Sequence, residues 1–222
     1  LCYCGFFYFR QGDNGAAHAY MERSIGLLRP LNDPTLLIDP LVLHGVVLFL
    51  LGETTAASAS LDEGLRYAQA AHAAWFEALA RLNRGYLAMF VEATPAIYAE
   101  MQQALAIWRR LGGPRTIALA LTYLSPVAIE LGQLADAQRF LAECLPLAQQ
   151  IGDRWLIGTT YSHQAMLAHA QGDLTRAESA YQRAITIFQE LHLLWDLCVA
   201  QVFLGEVQVT RGEAAPARQT LL

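Results

Sequence analysis

The stretch GDLTRAESAYQRAITIFQEL, from Gly172 to Leu191, decides the fold because it belongs to a repeat of forty residues. It opens with a glycine and an acid, and apolar residues then follow at helical spacing. Glycine recurs at Gly12, Gly52, Gly132, Gly172 and Gly212, with Glu92 at the one remaining position. Five residues later stand Ala17, Ala57, Ile97, Ala137, Ala177 and Ala217. Four further on stand Met21, Leu61, Met101, Leu141 and Tyr181. A period this regular indicates stacked helical repeats.

The composition is that of a folded, acidic chain. Of the 222 residues, 55% are hydrophobic and 16% are charged, which argues against intrinsic disorder. The net charge is -5, and all 15 basic residues are arginine. This balance argues against a nucleic-acid-binding surface, which needs a basic stripe. Because the chain starts without methionine and inside a predicted helix, we expect it to be a fragment of a longer protein.

Each repeat is predicted to form two antiparallel helices, A and B. The glycine supplies a left-handed cap at the end of helix A, and the acid after it favours the start of helix B. The fold class is therefore predicted to be all-α: a single right-handed superhelical solenoid, residues 1–222, of five to six repeats. The predicted units are 1–33, 34–73, 74–113, 114–153, 154–193 and the truncated 194–222. Self-association through the truncated ends is expected.

The spacing within each unit resembles the tetratricopeptide repeat signature. A small residue in helix A is followed twelve positions later by alanine, then four later by a large residue and three later by another small one. Two examples are Gly45, Ala57, Leu61 and Gly64, and Ala165, Ala177, Tyr181 and Ala184. The unit has forty residues rather than the usual thirty-four, and it turns at GD or GE. In these features it resembles the repeats of MalT-like, LuxR-type and related bacterial multidomain signalling regulators.

The resemblance implies a non-enzymatic module without a cofactor. In such regulators the repeats act as a sensor or docking surface, so the implied partner is a protein or peptide, or a small-molecule inducer. The implied location is the cytoplasm, and no membrane contact is expected. One alternative is a peptide-pheromone receptor or a plain assembly scaffold without an attached switch domain. Another, an α-helical enzyme, would need a polar cavity that the repeat columns do not supply.

The resemblance also places a binding groove. In tetratricopeptide stacks, residues of helix A line the concave face, and the corresponding columns in this sequence are mostly apolar. The predicted groove residues are Phe6, Phe9, Val46, Phe49, Tyr86, Met89, Ile129, Met166, His169 and Glu206. Such a lining favours an apolar peptide, helix or small molecule. The alternative is that a tight superhelix or flanking units bury these residues.

Two arginines form a candidate anion contact. Arg81 and Arg84 lie one turn apart, but Glu77 stands four residues before Arg81 and is placed to pair with it. The lysine and asparagine set with which chaperone-binding tetratricopeptide domains hold a carboxylate is missing. Only Asn83 and Arg84 approach that pattern, which weighs against this class of partner.

The remaining side chains point to no chemistry. His163 and His169 are six residues apart and share no helix face, and no catalytic residues or metal site are predicted. Cys144 lies in a column of small residues and is expected to be a buried thiol. The column of Trp75, Trp155 and Trp195 is expected to pack in the core between units.

Overall fold

The computed structural model describes residues 1–91 and 93–221, and these residues form helices without any strand. Glu92, the exception in the glycine column, lies outside the described residues. The helices are α1 (Cys2–Arg10), α2 (Asn14–Leu28), α3 (Ile38–Leu50), α4 (Thr54–Ala70), α5 (Ala74–Ala88), α6 (Pro95–Leu111), α7 (Pro114–Glu130), α8 (Leu134–Ile151), α9 (Arg154–Ala170), α10 (Leu174–Glu190), α11 (Leu194–Thr210) and α12 (Ala214–Leu221). Short 3-10 turns cover Arg29–Leu31 and Pro34–Leu37. The all-α prediction of paired helices is confirmed.

The chain forms two compact units. Unit 1 is Leu1–Leu111 and holds α1 to α6, and unit 2 is Gly112–Leu222 and holds α7 to α12. Inside each unit, every helix packs against the next one along the chain. The A helices also contact one another, α3 against α5 and α7 against α9. This pattern of consecutive and alternate contacts is the packing of stacked helical repeats.

The repeated glycine makes the turn from helix A to helix B at residues 12, 52, 132, 172 and 212. Gly52 and Gly172 have φ of +83° and +79°, a left-handed conformation that only glycine adopts without strain. At two turns the aspartate that follows caps the next helix: Asp13 accepts a hydrogen bond from the Ala16 amide at 2.9 Å, and Asp173 accepts one from the Arg176 amide at 3.0 Å. Glu53 makes no such side-chain bond. The predicted cap and helix start are therefore confirmed at the turns of Asp13 and Asp173.

A second left-handed column lies at the end of the B helices. Asn32, His72 and His192 have φ between +51° and +55°, and Gly112 and Gly152 occupy the corresponding positions with φ of +77° and +68°. The sequence shows no single residue type at this column, so the shared backbone conformation was not predicted. Histidine tolerates this conformation at a cost that glycine avoids.

We expect His192→Gly to raise the free energy of unfolding by about 0.5–1 kcal/mol, because glycine relieves the left-handed strain and loses part of that gain through its greater freedom in the unfolded chain. His192→Ala should leave the stability unchanged or lower it, since alanine keeps the strain. Urea denaturation of the three proteins checks this. A destabilised glycine variant would show that the His192 side chain itself stabilises the turn.

The helices of a pair approach so closely that larger side chains are excluded. A methyl group placed on Gly45 would lie 2.6 Å from Leu61 Cγ, and one on Gly85 would lie 2.4 Å from Met101 Cγ. The alanine column is equally enclosed, and Ala137 and Ala177 have no exposed surface. These contacts confirm the predicted pairing of small residues on facing helices with a large residue between them.

The charge introduced by Ala177→Asp should lower the free energy of unfolding by roughly 3 kcal/mol, because it would be buried without a partner. Ser179→Asp is the matched control, since Ser179 lies on the exposed side of the same helix. Thermal and urea unfolding of both variants provide the measurement. Equal midpoints for the two variants would contradict the packing of this column.

A polar cluster lies inside unit 2. The Cys144 thiol is buried and lies 3.3 Å from the Ala118 carbonyl oxygen and 3.2 Å from Thr160 Oγ1. The expected buried thiol is therefore confirmed, and burial raises the pKa of Cys144. His163 is also buried, and burial lowers its pKa to about 4 although it forms a hydrogen bond with the Thr122 backbone.

Acid should destabilise unit 2 through His163. The unfolded chain, with a histidine pKa near 6.5, binds a proton that the folded state rejects down to about pH 4. The free energy of unfolding therefore contains the whole contribution linked to His163 above about pH 6.5. Roughly 3 kcal/mol of it is lost as the pH falls from there to about 4. His163→Leu should flatten this part of the stability profile and His169→Gln should not. If the free energy of unfolding, measured by urea denaturation, fell equally with pH in wild type and His163→Leu, His163 would not be the group responsible.

The tryptophan column corrects one expectation. Trp75 and Trp195 are 41% and 64% exposed, and Trp155 is half-buried with its indole N–H donating to Asp196 Oδ1 at 3.1 Å. The expectation is therefore wrong for Trp75 and Trp195, which lie at the surface, whereas Trp155 packs against the core of unit 2. The tryptophan without exposed surface is Trp108, whose indole N–H donates to the Trp75 carbonyl oxygen at 3.2 Å.

Candidate functional site

The predicted groove residues lie on the A helices or at their ends, and they divide between the two units. Phe6, Phe9, Val46, Phe49, Tyr86 and Met89 belong to unit 1, and Ile129, Met166, His169 and Glu206 belong to unit 2. Phe9 is half-buried and packs against the core formed by Ala17, Met21 and Val47, so its ring stabilises unit 1. Phe6 is 39% exposed beside it.

Unit 1 contains a cleft of about 380 Å³. It is lined by Phe49, Thr54, Ala57, Ser58, Leu61, Asp62, Arg84, Leu87, Ala88, Val91 and Ile97. Of the predicted groove residues, Phe49 lies in this lining. Its ring contacts that of Phe90 at 5.2 Å, and Tyr86 contacts Phe90 at 5.7 Å. Phe90, which is 56% exposed, joins the two predicted side chains and was missed because it falls outside the two groove columns.

The two candidate anion-binding arginines are paired with carboxylates. Arg81 lies 2.8 Å from Glu77, as its spacing predicted, and 3.8 Å from Glu100. Arg84 pairs with Asp62 at 3.1 Å and also with Glu100. Three carboxylates therefore balance the two positive charges, and an anion would have to compete with them.

Unit 2 contains a smaller cleft of about 270 Å³, which we call the unit 2 cleft. Its lining consists of Ile129, Glu130, Met166, His169, Ala170, Tyr181, Phe203 and Glu206. The lining includes the predicted groove residues Ile129, Met166, His169 and Glu206, but not Pro126 and Val209 of the same two columns. The structure thus brings together side chains from α7, α9 and α11, which are up to 77 positions apart in the sequence.

Tyr181 of α10 also lines this cleft. It has no exposed surface, and its ring stacks on that of Phe203 with centroids 6.2 Å apart and planes 8° apart. Its hydroxyl forms no hydrogen bond within the described residues. Burial, and then the charge of Glu206, raise the pKa of Tyr181, so the hydroxyl is protonated at neutral pH.

Tyr181 was not predicted as a site residue, because its repeat column was interpreted as large residues that pack between paired helices. The other members of the column are Met21, Leu61, Met101 and Leu141, all without a polar atom that requires a partner. The one available signal was the phenolic hydroxyl in a column of apolar residues. A buried tyrosine usually finds a partner for its hydroxyl, so such an exception indicates a site.

Other kinds of site receive no support from the described residues. They contain no group of three or more metal-ligating side chains and no helix both long and apolar enough to cross a membrane. His163 is buried, whereas His169 lines the unit 2 cleft. Asn83 is buried and donates to the Leu79 carbonyl oxygen at 2.9 Å, so its amide faces its own helix.

Comparison with known proteins supports the repeat assignment. A tetratricopeptide repeat model matches residues 117–190, which include most of α7 and all of α8, α9 and α10. No curated protein matches the sequence.

Solved structures show the same fold at low sequence identity. The apo form of RapI has a TM-score of 0.80 at 11% identity, with 98% of this chain and 77% of RapI covered. A Rap protein complexed with competence and sporulation factor has a TM-score of 0.74 at 16% identity, with 88% and 55% covered. A signal transduction ATPase with numerous domains from Pyrococcus horikoshii, which has a tetratricopeptide repeat sensor, has a TM-score of 0.69 at 13% identity, with 98% and 34% covered. The chain spans about half the length of the Rap protein that was solved with competence and sporulation factor.

Proposed function

We propose that this chain is a non-enzymatic interaction module of a bacterial signalling or transcriptional regulator, and that it binds a peptide or protein segment. The observation that carries the proposal is the unit 2 cleft, where Ile129, Met166, His169 and Glu206 meet. Repeat folds present such clefts on a series of helices, so an extended segment can place successive side chains in them.

The dimensions of the clefts favour a peptide over a small inducer. Their volumes are about 270 and 380 Å³, at or below the low end of the range typical of small-molecule sites. Side chains such as Phe49 and Met166 remain half-exposed at the rims. Single side chains of a bound segment fit such shallow clefts, and methionine adapts to different shapes.

The structural relatives support a role in signalling without identifying the partner. One of them is described as a sensor within a signal transduction ATPase, and another is a Rap protein in complex with a signalling factor. At 16% identity or less these likenesses show the fold alone, so the attached switch domain, the cytoplasmic location and self-association remain proposals.

A second candidate function is a peptide-pheromone receptor or assembly scaffold without a switch domain. The observation that favours it is the structural likeness to RapI, in which the match covers 77% of the RapI chain with a TM-score of 0.80. The presence of a nucleotide-binding domain next to the repeats in the full-length gene would favour the regulator, and its absence would favour the receptor or scaffold.

Peptide binding can be tested by panning a random hexapeptide library displayed on phage against the purified chain. Enriched peptides should bind the wild type with a Kd in the micromolar range, and Met166→Ala should weaken binding about tenfold by removing one buried contact. Fluorescence anisotropy with labelled synthetic peptides measures both values.

The controls separate the two clefts. Phe49→Ala removes a rim side chain of the unit 1 cleft, and Ser179→Ala changes an exposed position outside both. Peptides that bind wild type and Met166→Ala equally well but lose affinity to Phe49→Ala would move the site to unit 1. No enrichment over an unrelated helical protein would overturn the proposed function.

A further inference from the structure

The unit 2 cleft has an acidic lining. Glu130 and Glu206 both contribute to it, and neither carboxylate is ion-paired with a basic residue in the described part of the chain. None of the eight lining residues is an arginine. The unit 1 cleft differs, because Arg84 lies in its lining and pairs with Asp62.

Two helix ends add to this negative potential. Helix α7 ends at Glu130 and helix α9 ends at Ala170, and both residues line the cleft. The carbonyl groups of the last turn of a helix carry a partial negative charge that favours a nearby cation. Carboxylates and helix ends therefore act in the same direction.

A buried hydroxyl that has no partner in the described part of the chain points to a ligand independently of these charges. The Tyr181 hydroxyl is enclosed, and Tyr181 lines the cleft together with Glu206. Leaving a buried hydroxyl unpaired is unfavourable, and an N–H donor in the cleft would satisfy its oxygen. The half-buried ring of Phe203, which stacks on Tyr181, also offers aromatic surface, which attracts cations.

We propose that the unit 2 cleft binds the cationic side chain of an arginine or lysine in a bound peptide. The apolar side chains of Ile129 and Met166 contact its hydrocarbon stem, Glu130 and Glu206 pair with its charge, and the Tyr181 hydroxyl oxygen accepts a hydrogen bond from it. This inference rests on the proposed function and specifies which side chain of the peptide the cleft selects. The unit 1 cleft, already balanced by its own arginine, lacks this preference.

The test compares two pools of acetylated, fluorescein-labelled hexapeptides that differ at one fixed position. One pool carries arginine there, and the other carries citrulline, which has nearly the same shape without the charge. We expect the arginine pool to bind the wild type about tenfold more tightly, with a difference that shrinks as NaCl is raised. The double variant Glu130→Gln/Glu206→Gln should bind both pools equally. Glu53→Gln/Glu190→Gln makes the same change in net charge outside the cleft and should keep the preference.

Tyr181→Phe separates binding from structural support. Because the hydroxyl has no partner among the described residues, its removal should leave the Tm unchanged or raise it, while affinity for the arginine pool falls severalfold. A clear loss of Tm would show that the hydroxyl stabilises the fold, and would remove it from the site.

The outcomes distinguish this inference from the proposed function. Equal binding of both pools by the wild type would overturn the cationic site and leave peptide binding intact. No binding of either pool up to about 1 mM, where binding energy is only about 4 kcal/mol, would overturn peptide binding as well. Displacement of the arginine pool by free agmatine at the peptide's own concentration would show that the cleft takes a small cation rather than a peptide side chain.

Discussion

The close contact between the two helices of a repeat is the constraint on which the structure depends. Gly45 and Gly85 lie against Leu61 and Met101 at distances that leave no room for a methyl group. A larger residue would force the helices apart and open the core of the unit, since packed interiors deform little. Because the same contact recurs every forty residues, it also sets the spacing between successive A helices, and the clefts lie between these helices.

The two kinds of turn differ in how easily they can be recognised from the sequence. The A-to-B turns use one residue type, so Gly52 and Gly172 could be recognised by period alone. The B-to-A turns need the same left-handed conformation, but Asn32, His72 and Gly152 satisfy it with different side chains. A backbone requirement that several residue types can meet leaves no column of one residue type. The predicted unit boundaries therefore placed the B-to-A turns but did not reveal their shared left-handed conformation.

The site shows the same limit. The columns predicted that Ile129, Met166, His169 and Glu206 would share a surface, because residues at equal repeat positions occupy equivalent places on stacked helices. They could not predict that Arg84 would be balanced by Asp62 and Glu100, since these pairs depend on how side chains from three helices meet. Nor could a column of apolar packing residues show that the hydroxyl of Tyr181 would find no partner within the described residues.

Repeat position and cleft chemistry can therefore vary separately. Leu61 in the unit 1 cleft and Tyr181 in the unit 2 cleft occupy the same column, and both are almost fully buried between paired helices. Exchanging one for the other changes the lining from apolar to hydrogen-bonding while the backbone contact that builds the cleft is kept. Clefts built by the same backbone contact can therefore differ in the side chains that they select.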